Sequence, residues 1–172
     1  MILRTAHCAD ADAVCAIANP IIQDTLVTFT TDLRIPEQVK MEIAGRGTAF
    51  QVAETESGVV GFATFGPFRK GPGYAATAEH TILLAPSVRG SGIGRALMTR
   101  LEQVARDRGI HVLVGGISGA NTAGILFHKR MGFVQTGQMP EVGRKNGQWL
   151  DLVLMQKILG GDAAPDSGQP VG

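Results

Sequence analysis

Apolar residues recur at helical spacing most clearly between residues 91 and 109. Ile93, Leu97, Leu101 and Val104 stand three or four apart and mark one face, while Arg100, Gln103, Asp107 and Arg108 fall largely on others. Gly109 supplies the stop. Other segments read from the same kind of pattern. "ILRTA" is a first strand, and "ADADAVCAIANPIIQDTLV" is a helical stretch with Asp10 or Asp12 as its N-cap and a break or kink expected at Pro20. "TFTTDLRI" is a connector, and Pro36 opens a second helix, "PEQVKMEIAGR". Two strand-like runs flank the turn "TESG", residues 68–74 form a loop, and "AATAEHTILLAP" is a further strand closed by Pro86. "HVLVGGIS" reads as a buried strand, Asn121 caps the helix "NTAGILFHKRM", and Gly132 ends it. The tight-turn pair Asn146-Gly147 joins two last strands.

The order is strand, helices, three strands, helix, strand, helix, two strands. It predicts an α/β fold, a mixed central β-sheet with helices on both faces. Residues 1–159 read as a single domain. The tail, 160–172, lacks apolar residues to dock and is expected to be disordered.

Composition narrows the classes. With 44% hydrophobic and 18% charged residues the chain can bury a core, and a net charge of +1 gives no bulk attraction to nucleic acid or anionic membrane. No apolar run is long enough to span a bilayer, and the N-terminus has no signal-peptide pattern, so a cytoplasmic location is the default. Cys8 and Cys15 make neither a metal spacing nor a disulfide framework; no metal is expected.

The chemistry concentrates at "SVRGSGIGRALM", where Gly90, Gly92 and Gly94 alternate at the entrance to the clearest helix. A P-loop would need Lys-Ser/Thr after the last glycine, and Arg95-Ala96 stand there. A dinucleotide fingerprint would need wider glycine spacing and an acidic residue for a ribose. A helix N-terminus, however, carries unpaired N–H groups and partial positive charge, and glycines bare it. With Arg89 and Arg95 on either side, the main chain of Gly90, Ser91, Gly92, Ile93, Gly94 and Arg95 is a cradle for a diphosphate without a metal.

"RGSGIG" resembles the Arg-x-x-Gly-x-Gly acetyl-CoA signature of the GNAT (Gcn5-related N-acetyltransferase) superfamily, and "NTAGILFHKRMGF" is similar to that family's second half. Together with "EVGRKNGQWLDLVLMQ", these segments look like the phosphinothricin/methionine sulfoximine N-acetyltransferase branch. The pattern departs at Gln148, where that branch's Arg is expected.

The resemblance implies the GNAT fold, acetyl-CoA as co-substrate, a splayed strand, a small-molecule amine as acceptor, and a homodimer. Ile82, Leu83 and Leu84 would lie on the splayed strand and pair through main chain with the cofactor's amide-bearing arm. Asn121 would contact that arm besides capping its helix. Glu79 is the expected general base; His80, on the opposite face by alternation, is a substrate-side or structural contact. His128 stands four before Gly132, where many members place a Tyr that protonates the departing thiolate. Arg69 matches an Arg of the branch near the acceptor, and Phe29, Phe68 and Tyr74 would wall the pocket. Trp149 and Asp151 share a strand face at a pocket rim or dimer contact.

The implied reaction is acetylation of the α-amine of a small amino-acid analogue, such as phosphinothricin, methionine sulfoximine or methionine sulfone, with a detoxifying role. Acetylation of another acceptor (a peptide N-terminus, a polyamine or an aminoglycoside) and a non-catalytic CoA-binding module are the alternatives. Arg69 and Lys70 count against a polycationic acceptor.

Overall fold

The computed structural model describes residues 1–160. The tail expected beyond the domain therefore lies, from residue 161, outside the described residues. Strands β1 (Ile2–Thr5), β2 (Phe50–Thr55), β3 (Gly58–Pro67), β4 (Thr77–Leu84), β5 (Val112–Ser118), β6 (Val134–Lys145) and β7 (Gln148–Ile158) form one sheet in the order β1-β2-β3-β4-β5-β7-β6. Every neighbouring pair is antiparallel except β4–β5, which is parallel. The sheet is mixed, as the element order predicted.

Helices α1 (Ala11–Asp24) and α2 (Pro36–Arg46) cover one face, and α3 (Ile93–Asp107) covers the other. Helix α4 (Thr122–Arg130) adds Ile125 and Phe127 to the α3 side. Val14, Ile17, Ala18, Ile21 and Ile22 of α1 bury against Phe50, Val52 and Phe62 of the sheet. Ile93, Leu97, Leu101 and Val104 of α3 bury against Ala63, Ala78 and Leu113, so the helical stripe read from sequence is the core face. No helix of the described residues is long and apolar enough to cross a membrane.

The structure sharpens two local expectations. α1 runs through Pro20 without a break. Proline removes the bond to the carbonyl of Ala16, but both residues sit on the exposed face, so water can satisfy that carbonyl while Ile21 and Ile22 keep their burial. Asp10 is the N-cap residue of α1, one of the two positions expected, but its carboxylate makes no capping bond to the helix. It accepts instead from the His7 backbone N–H at 2.8 Å and from both terminal nitrogens of Arg4 at 2.8 Å.

Candidate functional site

The site begins where β4 and β5 part. Their parallel register covers only Thr77–Glu79 against Val112–Val114, yet β4 continues to Leu84 and β5 to Ser118. The expected splay is therefore present. The Ala85 N–H donates to Val60 O at 2.8 Å and Thr77 O accepts from the Phe68 N–H at 3.3 Å, so odd-numbered β4 residues turn their peptide groups toward β3. By alternation, the peptide groups of His80, Ile82 and Leu84 face the gap. Of the three residues expected to pair through main chain, Ile82 and Leu84 turn their peptide groups to the gap. Leu83 instead bonds toward β3 and packs its side chain on the α1 side.

The glycine loop leads into α3 at one end of this gap. Gly90 has φ +79° and Gly92, the residue before the helix, +85°, a left-handed backbone in which a side chain would be strained. Gly94 is required for another reason. A Cβ there would stand 3.0 Å from Leu84 Cδ1 and 3.4 Å from Phe127 Cε2, so the missing side chain lets α3 approach β4 and α4. No side chain caps the α3 N-terminus, and Arg89, Ser91 and Arg95 are exposed around it. Ile93 lends its side chain to the core, leaving only main chain to the entrance. At α4, by contrast, Asn121 Oδ1 accepts from Gly124 N–H at 2.9 Å. An uncapped, bared helix entrance beside a strand edge with free peptide groups fits a diphosphate and an amide-bearing arm.

Two cavities of about 320 Å³ each meet at the gap and share Val27, Ile82, Leu83, Asn121 and His128. One continues past Leu84, Gly124 and Phe127 to Arg89 and Gly90. The other opens on the α1–α2 face among Ala18, Ile22, Phe29, Arg34, Thr81 and Gly116. Glu79 does not line either cavity. It is exposed on that second face, and a Cβ on Gly116 would stand 3.0 Å from its Oε1, which puts the carboxylate at the rim.

Between the cavities lies a buried histidine pair. The Nε2 atoms of His80 and His128 are 2.9 Å apart, and both rings pack on Phe133. Gly115 makes room: a Cβ would stand 3.0 Å from His80 Cε1. His128 Nδ1 lies 2.7 Å from Gly124 O, which can only accept, so we assign the proton of a neutral His128 to Nδ1. Its Nε2 then accepts from the Nε2–H of His80. That leaves His80 Nδ1 bare, buried and without a hydrogen-bond partner. Burial, then the charge of His128, push His80 down to about 3, against a smaller pull from the Val114 backbone. Burial also lowers His128, against the Gly124 carbonyl. The pair is therefore neutral at pH 7. With both nitrogens engaged in this assignment, a neutral His128 presents no free N–H toward the cavities.

The remaining expected residues are split. Phe29 lines the α1-side cavity, but Arg69 and Tyr74 line a separate one of about 650 Å³ with Arg46, Lys70 and Arg108. Phe68 lines neither of the meeting cavities; it carries the Arg69 guanidinium at 5.2 Å and meets Tyr74 edge-on. Trp149 and Asp151 gather with Leu26 and Gln138 on the β6–β7 side; Asp151 accepts from the Glu141 N–H at 3.0 Å and from Gln138 Nε2 at 2.9 Å. Cys8 is exposed and Cys15 buried, both free, and no metal-holding group exists among the described residues.

Two residues escaped sequence reading. Lys145 beside the Asn-Gly turn looks like a solvated lysine, yet it is 2% exposed and donates to Thr28 O at 3.0 Å and Thr28 Oγ1 at 2.9 Å. It pins the loop that carries Phe29 into the cavity, and burial lowers its pKa. Arg34, in a connector without periodicity, lines the same cavity.

The acetyltransferase (GNAT) family matches residues 20–133. The chain is 39% identical to the L-methionine sulfoximine/L-methionine sulfone acetyltransferase of Salmonella typhimurium, covering 97% of this chain and 99% of that one. It is 31% identical to the phosphinothricin N-acetyltransferase of Streptomyces coelicolor, over 82% and 86% of the two chains. Among solved structures, yncA from Salmonella typhimurium with its cofactor acetyl-CoA superposes at a TM-score of 0.90, with 38% identity and 97% and 98% coverage. A phosphinothricin acetyltransferase from Sinorhizobium meliloti in complex with acetyl-CoA superposes at 0.88, with 31% identity over 97% and 94%.

Proposed function

The chain belongs to the acetyltransferase (GNAT) family, and we propose that it acetylates the α-amine of a small amino-acid analogue of the methionine sulfoximine, methionine sulfone or phosphinothricin class. The observation that carries this reading is the gap between β4 and β5, where a groove leading from the bared α3 entrance meets a second cavity on the opposite face. Such an arrangement lets two ligands approach one point from two sides.

Acetyl-CoA supplies the activated acetyl group. The α3 entrance from Gly90 to Arg95, with Arg89, holds the diphosphate, and the free peptide groups of Ile82 and Leu84 hold the amide-bearing arm. Asn121 spends its oxygen on the cap, leaving its amide N–H groups for the same arm. An N–H on the exposed edge of β4 is placed to polarise the acetyl carbonyl. Glu79 takes a proton from the acceptor ammonium, directly or through water, because only the free amine has a lone pair to attack with. His128 can serve as an acid only after taking up a proton, which its burial opposes at neutral pH, so the base carries more of this reading than the acid. The class of acceptor is supported by the named relatives and by a cavity too narrow in chemistry for a polycation, since Arg34 lines it and no carboxylate does. Detoxification, a homodimer and a cytoplasmic location belong to the same proposal.

A thiol-release assay with acetyl-CoA and a panel of amines tests it. Turnover is expected on methionine sulfoximine, methionine sulfone or phosphinothricin. Turnover confined to polyamines or peptide N-termini would replace this acceptor class, and tight acetyl-CoA binding with no turnover on any amine would favour a binding module.

A further inference from the structure

Nothing in the sequence pattern marks Arg34, yet its surroundings are specific. It is the sole full charge among the described residues lining the α1-side cavity, since His80 and His128 are held neutral and no Asp or Glu lines it. Its backbone is clamped by one side chain: Asn19 Oδ1 accepts from Arg34 N–H at 2.8 Å, and Asn19 Nδ2 donates to Arg34 O at 3.0 Å. Its guanidinium carbon sits 5.6 Å from the centroid of the buried Phe62 ring, and it pairs with Glu42. Glu42, however, is shared with Arg46 at 2.9 Å. One carboxylate between two guanidiniums leaves a positive charge uncompensated at the wall of a cavity lined mostly by Ala, Ile, Val, Leu, Phe and Gly.

We propose that Arg34 is the specificity-determining residue that selects acceptors bearing a carboxylate. The planar guanidinium has donors beyond those facing Glu42, and a ligand carboxylate is their complement. Glu79, at the rim of the same face, has the opposite preference, for the ammonium. Together they read a zwitterion: amine toward Glu79, anion toward Arg34. An acceptor without an anion leaves Arg34 uncompensated in the cavity, which disfavours simple amines. Arg69 lines the separate cavity and does not compete for this role within one chain. The inference rests on reading this cavity as the acceptor pocket.

The test compares kcat/KM for methionine sulfoximine and for its methyl ester, in the native enzyme and in Arg34→Met and Arg34→Lys. The native enzyme should prefer the acid about 10- to 100-fold, the range of a charge-assisted hydrogen-bonded contact. Arg34→Met should bring the ratio near one, mainly through the acceptor KM, with the KM for acetyl-CoA unchanged. Arg34→Lys should keep part of the preference, and it carries the test if Arg34→Met does not fold. Glu42→Gln, which frees Arg34 without removing it, should keep or raise the ratio. An unchanged ratio in both folded Arg34 variants would overturn the assignment while leaving the acceptor class standing. A native enzyme that acetylates only amines lacking a carboxylate would overturn both.

Discussion

Acidification should destabilise this protein through its buried histidine pair, and one substitution at His80 should remove a large part of that sensitivity. In the unfolded chain an imidazole has its ordinary value near 6.5, whereas His80 in the folded protein is held at about 3. The folded state therefore binds the proton less readily than the unfolded state. Stability from neutral burial is complete above pH 6.5 and is lost as pH falls toward 3. At pH 4.5 the unfolded group is two units below its value and protonated, while folded His80 is still neutral. At about 1.4 kcal/mol per unit, the loss is about 3 kcal/mol, a large part of a domain's typical 5–15 kcal/mol. His128 faces His80 across the 2.9 Å contact, and its own lowered value acts in the same direction. The Asp10 carboxylate, lowered from 3.8, loses its contribution only below that pH and stays outside the window. His80→Gln is the matched control, because it retains an N–H for His128 and does not titrate. Urea unfolding followed by circular dichroism at pH 7.5, 6.0 and 4.5 should show the native protein losing about 3 kcal/mol more than the variant. Parallel curves for the two proteins, or a His80 imidazole that titrates near 6.5 by NMR, would refute the reasoning.

Glu79→Gln should lower kcat about 10²- to 10⁴-fold without changing the KM for acetyl-CoA, and should flatten the acid limb of the pH–rate profile; an unchanged profile removes Glu79 as base. Lys145→Met frees the loop that holds Thr28 and Phe29, so the acceptor KM should rise by about 10-fold while the acetyl-CoA KM holds; equal changes in both would point to general destabilisation. Lys157→Met should destabilise by about 1–3 kcal/mol, because Lys157 donates to both oxygens of the buried Glu102 at 2.8 Å and to Met131 O at 2.7 Å, while Arg106 at 3.6 Å still faces the carboxylate. Chemical denaturation checks it, and Lys157→Met with Glu102→Leu should recover most of the loss.

Where local chemistry dominates, the sequence was readable. The stripe on α3, Pro36 at the start of α2, the cap at Asn121 and the turn at Asn146-Gly147 are each decided by neighbours within a few residues, and each stands where the pattern put it. The bared entrance at Gly90 to Gly94 is of the same kind, since helix ends expose the same N–H groups wherever they occur. Pro20 does not break α1 because the freed carbonyl faces outward, which depends on how α1 sits on the sheet.

By itself, then, the chain's pattern determined the element order, the mixed sheet and the bared helix entrance at Gly90 to Gly94. Tertiary structure alone decided which residues meet at the gap. His80 and His128 are 48 positions apart, and Thr28 and Lys145 are 117 apart; only strand order and helix packing bring each pair to hydrogen-bonding distance. The same packing sends Arg69 and Tyr74 to a separate cavity and sets Arg34 in the wall of the α1-side one. Burial set the charge of the histidines as well, because the cost of a charge depends on the dielectric around it, and no residue carries its surroundings in its own position along the chain.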